Sequence, residues 1–259
     1  MSSIRRLAAM LLALPLIAGC AMPAPTPANV NVNAEHAETQ APRILVFTQT
    51  LGFRHDSIPV AVDTLRTLAD DAGFAVVHGE DPALFDDATL PGFRAVVFAN
   101  TTGNLLDAAQ RDAFERYVRN GGGFMGVHSA SDTGHDWPWY GELVGAWFDS
   151  HPPGLQTSPV RFESRPAPEG SDGWHVTDEL YNFRRNPRPH VDVLATVDER
   201  AYEGGAMGDD HPIAWCHARL GGRAWYTGLG HDIAVYADPV LRAHLLQGIR
   251  YTTGMRDHC

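Results

Sequence analysis

From residue 42 onward the chain alternates short, unbroken apolar runs with longer segments in which apolar residues recur every three or four positions. Runs of the first kind suit strands buried on both faces, and segments of the second kind suit helices with one buried face. Arg43 to Thr48 (RILVFT), Phe74 to His78, Ala95 to Asn100 (AVVFAN) and Phe124 to His128 (FMGVH) are therefore predicted strands. Ile58, Val62, Leu65 and Leu68 follow at helical spacing, predicting a helix capped by Asp56 or Ser57. Asp107 to Arg119 predicts a second amphipathic helix, stopped by Gly121-Gly122-Gly123.

Strands alternating with helices call for a parallel sheet covered on both faces. The expected fold is α/β, a flavodoxin-like, doubly wound, mostly parallel sheet. After Trp147 the pattern weakens, and Pro152, Pro153, Pro159, Pro166 and Pro168 punctuate short segments. Further on, Val191 to Val197 is a predicted strand, and Ile213 to Arg219 with Arg223 to Thr227 a predicted hairpin split by Gly221-Gly222. These strands form the expected C-terminal antiparallel addition. Asp238 or Pro239 opens a last helix running to about Tyr251.

The first residues follow a different pattern. Arg5 and Arg6 precede an apolar run from Leu7 to Ala18 and then Gly19-Cys20. A basic start, a short apolar core and small residues before a cut site describe an export signal. A cysteine just after the cut is the residue a lipoprotein acylates, so residues 1–19 are expected to be a lipoprotein signal peptide and Cys20 the lipidated residue. An ordinary secretory signal is the alternative. Residues 20–41, rich in Pro, Ala, Asn and Thr, suit a disordered tether. Residues 42–255 are then one domain of about 215 residues, large enough for a sizeable core. The expected location is the cell envelope, facing the periplasm or exterior.

A formal charge of −11 argues against nucleic acid and against anionic lipid as partners, leaving the lipid as the membrane contact. Apart from Cys20 the cysteines are Cys216 and Cys259, which an exported chain can pair or keep buried and free. The oligomeric state is not legible.

In open parallel sheets ligands bind beyond the carboxyl ends of the strands. Those positions here are polar: His55-Asp56-Ser57 after the first strand, Asn100-Thr101-Thr102 after the third, His128 to Asp132 after the fourth, and His231-Asp232 after the last. Convergence of His55, Asn100, His128 and His231 on one cleft follows if those strands are neighbours. His128 sits in a Gly-rich strand-to-helix passage of the kind that presents a nucleophile, but imidazole forms no acyl-enzyme there. A histidine merely satisfied by backbone is the bland reading, and for His211, which enters a strand, it is the stronger one.

Trp137-Pro138-Trp139-Tyr140 and Glu179 to Phe183 offer flat aromatic faces beside carboxylates and amides, which suit sugar rings and an ordinary core alike. Thirteen histidines with many carboxylates raise a divalent metal, although spacing gives little support, His128 and Asp132 at four apart being the nearest thing to a ligand pair.

Taken together and in order, Gly52 to Ser57 (GFRHDS), Asn100 to Gly103, Gly121 to Asp132 (GGGFMGVHSASD), Trp137 to Tyr140, Asp149 to Pro152, Asp178 to Tyr181, Gly208 to Trp215 and Tyr226 to His231 resemble the ThuA-like, trehalose-utilisation family. The resemblance spans residues 43–254. It implies a fold related to class I glutamine amidotransferases and a role in sugar or keto-sugar use. The amidotransferase cysteine is absent, with His128 at the corresponding strand end, so glutamine hydrolysis is not expected. The resemblance also places His55, His128, Asp132, Glu179, His211 and His231 in the motifs that define the family.

The reading that follows is a carbohydrate-active hydrolase, lyase or isomerase. His128, Asp132 and Glu179 are its expected catalytic residues, and His55, Asn100, Trp137, His211 and His231 bind a small carbohydrate, with a divalent metal as a possible cofactor. A non-catalytic sugar-binding lipoprotein is the alternative, and an envelope scaffold a third class.

Overall fold

Each of the early apolar runs is a strand of one sheet. The computed structural model describes residues 41–259 except 165; the expected leader, Cys20 and the tether up to residue 40 lie outside the described residues.

In chain order the elements begin with β1 (Arg43–Phe47), α1 (Ile58–Asp71), β2 (Ala75–Gly79), β3 (Phe93–Ala99), α2 (Ala108–Arg119) and β4 (Gly123–Val127). Then come α3 (Pro138–Val144), β5 (Phe148–Ser150), β6 (Gln156–Phe162), β7 (His175–Asp178) and β8 (Asn182–Phe183). The chain closes with β9 (Asp192–Val197), β10 (His211–His217), β11 (Ala224–Thr227) and α4 (Pro239–Thr252).

The main sheet has the order β2-β1-β3-β4-β11-β10-β9-β6-β7, and β5 with β8 forms a separate pair. From β2 to β11 the pairings are parallel, and from β11 to β7 they are antiparallel. The expected hairpin is present, with Trp215 opposite Tyr226, and its second strand also pairs in parallel with β4. That double membership makes β11 the hinge between the two halves of the sheet.

The antiparallel part starts earlier than expected, at β6. Nothing between Pro138 and Phe183 repeats long enough to show a period: α3 has seven residues, and β5 and β8 have three and two. Pro159 lies inside β6, whose alternation is blurred by that proline and its polar neighbours.

Parallel strands are apolar because helices cover them. Ile44 to Phe47 and Val96 to Ala99 are buried. Helices α1 and α4 pack on one another, and α4 also contacts β3, β4 and β11. A Cβ at Gly123 would run into the Thr252 carbonyl, so glycine lets the end of α4 press against β4. Phe114 of α2 and Tyr140 of α3 stack on Phe98 and close with Phe124 in a second layer.

Trp137 belongs to this second layer. It is buried, stacks on Trp139 and Tyr140, and donates its indole N–H to Glu115 (3.0 Å). The proposed sugar-stacking tryptophan is thus a core residue, because the stretch around it folds down over α2.

Cys216 and Cys259 are joined in a disulfide that ties the chain end to β10. No helix among the described residues is long and apolar enough to cross a membrane.

Candidate metal centre

The carboxyl ends of β1, β4 and β11 bring three histidines together, and the chain after β7 adds a carboxylate. One ligand atom from each of His55, His128, Glu179 and His231 lies within 4.8 Å of all the others. Three of these four residues are buried, and His231 forms the more open edge with its side chain 28% exposed.

Backbone strain presents His128. Its φ of 51° is left-handed, a conformation that costs a non-glycine residue ~1–3 kcal/mol and persists only where the surroundings impose it. The surroundings do so here: the Tyr226 hydroxyl donates to the His128 carbonyl (2.8 Å), and His128 Nδ1 donates to the Gly228 carbonyl (2.8 Å). A carbonyl only accepts, so the proton is on Nδ1 and Nε2 carries a lone pair. That Nε2 is buried with no hydrogen-bond partner, 3.5 Å from Glu179 Oε2.

The same carboxylate oxygen lies 3.1 Å from His231 Nδ1, again without the alignment of a hydrogen bond. The other oxygen, Oε1, is 3.2 Å from Nδ1 of His151, a half-exposed residue at the rim. His55 stands nearly perpendicular to both other rings, at 4.8 Å from His128 and 5.1 Å from His231 between centroids.

Protonation follows from this crowding. Burial, and then the neighbouring imidazoles of His128 and His231, hold His55 down to about 3, so it is neutral with a free lone pair. Burial pushes the Glu179 carboxyl up, and the neighbouring imidazoles of His128 and His231, when they carry a proton towards it, outweigh that and bring the group below the usual carboxylate range. His231 is raised, chiefly by Glu179. The centre therefore leaves lone pairs on His55 and His128, with a proton on His231 as the balance to the Glu179 charge while no cation is bound.

Such a donor set fits a divalent cation. Ligands at about 2.0–2.2 Å around a tetrahedral zinc lie roughly 3.4 Å from one another, the scale of the contacts seen here. Three imidazoles with a carboxylate suit zinc, manganese or iron rather than calcium or magnesium.

Other side chains fix the frame. Asp178, adjacent to Glu179, accepts from the backbone N–H groups of Gly230 (2.7 Å) and Asp232 (2.9 Å), stapling Glu179 to the loop that carries His231. Burial raises the Asp178 carboxyl. Asn100, left-handed with φ 53°, donates to Gly230 O (3.0 Å) and Ser57 Oγ (3.2 Å) and accepts from the Tyr236 hydroxyl (3.3 Å). It is fully buried, a strut under the centre rather than a substrate contact. Ser57 does not cap α1 with its side chain; its hydroxyl donates to Gly230 O (3.1 Å).

His211 lies outside the cluster. Its Nε2 donates to the Tyr181 carbonyl (2.8 Å), and its Nδ1 faces Glu199 (2.7 Å) and the Tyr202 hydroxyl (3.0 Å). It holds the Glu179–Tyr181 segment from behind. Asp132 stays half-exposed and pairs with His135 (2.7 Å). Burial first, then charges including those of Glu179 and Asp132, keep Tyr181 protonated, and that ring packs 4.2 Å from His128.

Sequence reasoning overlooked His151 and Asp178 as site residues. The neighbouring acids Asp178-Glu179 at a strand end were the available signal. A cavity of about 650 Å³ bordered by Arg94, Arg116, Tyr117 and Arg223 lies at the opposite end of the strands, where β3 and β11 begin, and holds none of this chemistry.

The family model for ThuA, trehalose utilisation, matches residues 43–252. Among solved structures, a ThuA-like protein from Bacteroides uniformis aligns with a TM-score of 0.70 and 21% identity, covering 82% of this chain and 92% of that one. Another from Parabacteroides merdae aligns with a TM-score of 0.65 and 20% identity, covering 84% and 91%. At these identities the likeness shows the fold. No curated protein matches the chain in sequence.

Proposed function

We propose, for a chain that belongs to the ThuA family of trehalose utilisation, that it is a metal-dependent enzyme acting on trehalose-type or keto-sugar substrates by hydrolase, lyase or isomerase chemistry. The observation that carries this reading is the convergence of His55, His128, Glu179 and His231 within 4.8 Å of one another, with His128 Nε2 and His231 Nδ1 buried and unpartnered.

Held by these four residues, a divalent ion would supply Lewis acidity towards a sugar hydroxyl or carbonyl oxygen. His128 would serve as a ligand rather than as a general base, since its one free nitrogen faces Glu179 across the cluster and the other is committed to Gly228. Proton transfer then falls to groups outside the ligand set. His151, partly exposed and in contact with Glu179 Oε1, and the Asp132–His135 pair are placed for it. Asp178 and His211 keep Glu179 in place.

The parallel order β2-β1-β3-β4-β11 supports the flavodoxin-like, amidotransferase-related reading of the fold. We assign the chain to the cell envelope as a lipoprotein acylated at Cys20, on the leader pattern. In that compartment ATP and reduced nicotinamide are not at hand, which favours chemistry run by side chains, water and a held metal.

The test is elemental analysis of the purified chain beside His128→Ala and Glu179→Gln, followed by turnover of a glycoside and keto-glycoside panel. One equivalent of a transition metal in the parent, its loss in both variants and turnover that follows metal content are expected. A metal-free parent that turns sugars over would sink the metal-dependent reading.

A further inference from the structure

Only five large apolar residues are exposed among those described, and three of them flank the metal centre: Leu51 (66%), Phe53 (67%) and Ile233 (52%). Phe53 lies two residues before the ligand His55 and meets its ring edge-on at 4.8 Å. Ile233 lies two residues after His231.

The loop bearing Phe53 is held firmly. Leu51 N donates to Thr102 O (2.9 Å), Gly52 N to Thr102 Oγ1 (3.1 Å), and Thr102 Oγ1 to Phe53 O (3.0 Å). On the other side Arg54 pairs with Glu80 (2.7 Å). A large aromatic ring left in water on a pinned loop, rather than folded into the core as Trp137 is, is a preformed platform. The entropy of ordering it is already spent before a ligand arrives.

We propose that Phe53 is the specificity-determining platform of this site, stacking on the C–H face of the second sugar ring of a two-ring substrate. The proposal rests on the carbohydrate reading above. A sugar whose oxygens reach the centre occupies the space over His55 and His231. Phe53 lies one ring farther out, beyond His55, where the ring joined through the glycosidic oxygen arrives. Pyranose C–H faces are apolar and flat and match an aromatic face. The site therefore favours a disaccharide over its monosaccharide.

Calorimetry of the metal-loaded full chain with trehalose and with glucose tests this. Phe53→Ala is expected to weaken trehalose binding about tenfold and Phe53→Tyr to restore it to within about twofold, with glucose affinity and metal content equal in all three proteins. Unchanged trehalose affinity in Phe53→Ala overturns the platform and leaves the carbohydrate reading standing. An equal loss for both sugars overturns the assignment to the second ring. A parent protein that binds neither sugar overturns the carbohydrate reading and the platform with it.

Discussion

His128 Nε2 and Glu179 Oε2 face one another 3.5 Å apart, both acceptors, with the imidazole proton committed to the Gly228 carbonyl on the far side of the ring. Two lone pairs brought together in a buried site are costly unless a cation stands between them. Chelation is therefore expected to destabilise the protein: an ion held at a hundredfold excess over its dissociation constant contributes about 2.7 kcal/mol. For a domain of this size that is a fall of roughly 5–10 °C in melting midpoint on EDTA treatment, recovered by adding zinc or manganese. A midpoint indifferent to both would argue that a proton, not a metal, bridges the pair.

The Tyr226 hydroxyl holds the strained His128 backbone, donating to its carbonyl and lying 2.9 Å from Ser131 Oγ. Tyr226→Phe leaves that buried carbonyl with only the long contact from Ser131 Oγ (3.4 Å). We expect a loss of about 1–3 kcal/mol in urea unfolding. Metal affinity should fall about tenfold as well, because the ring that offers Nε2 is no longer aimed.

His211 acts on the site at one remove, through the Tyr181 carbonyl. His211→Phe keeps the volume but strands that carbonyl, while the Glu199 carboxylate still accepts from Met207 N (2.7 Å) and Gly208 N (2.9 Å). Stability is expected to drop by roughly 1–3 kcal/mol. If the residue instead touched substrate, thermal stability would hold and only sugar affinity would change.

His244, on α4 between Phe162 and Trp225, is fully buried with Nε2 unpartnered, and burial holds its imidazole down to about 3. In the unfolded chain it takes up a proton near pH 6.5, and in the folded chain it does not. Its folded value is depressed, so its stabilising share is complete above about 6.5 and is lost as pH falls towards 3. The slope in that window is up to ~1.4 kcal/mol per pH unit. His244→Leu should flatten urea stability measured between pH 4.5 and 7; an unaltered slope would assign the acid sensitivity elsewhere.

Reduction of the Cys216–Cys259 disulfide frees a chain end separated from β10 by 43 residues. Loop-closure entropy makes this bridge worth about 4 kcal/mol before strain is counted. Cys259→Ser should lower unfolding free energy by roughly 2–4 kcal/mol, read as a shift in the denaturant midpoint at unchanged slope.

The parallel half of the sheet was legible because its code is local. An apolar run buried on both faces and an amphipathic helix each carry their own period, so β1, β3, β4, α1, α2 and α4 stand close to where the pattern put them. Polar residues at strand ends pointed to His55, His128 and His231 for the same reason.

What the sequence could not decide was which polar residues share a point in space. Asn100 and His231 look alike as polar residues following strands, yet one is a strut and the other lines the centre. Trp137 and Phe53 look alike as aromatics near histidines, yet the first folds into the core and the second stands in water. Glu179 reaches the centre from the far antiparallel side of the sheet, through a segment too short and irregular to announce itself, and Asp178 clamps it there. Local patterning fixes which elements form; the meeting of four lone pairs is a product of strand order and packing, and tertiary structure alone determines those.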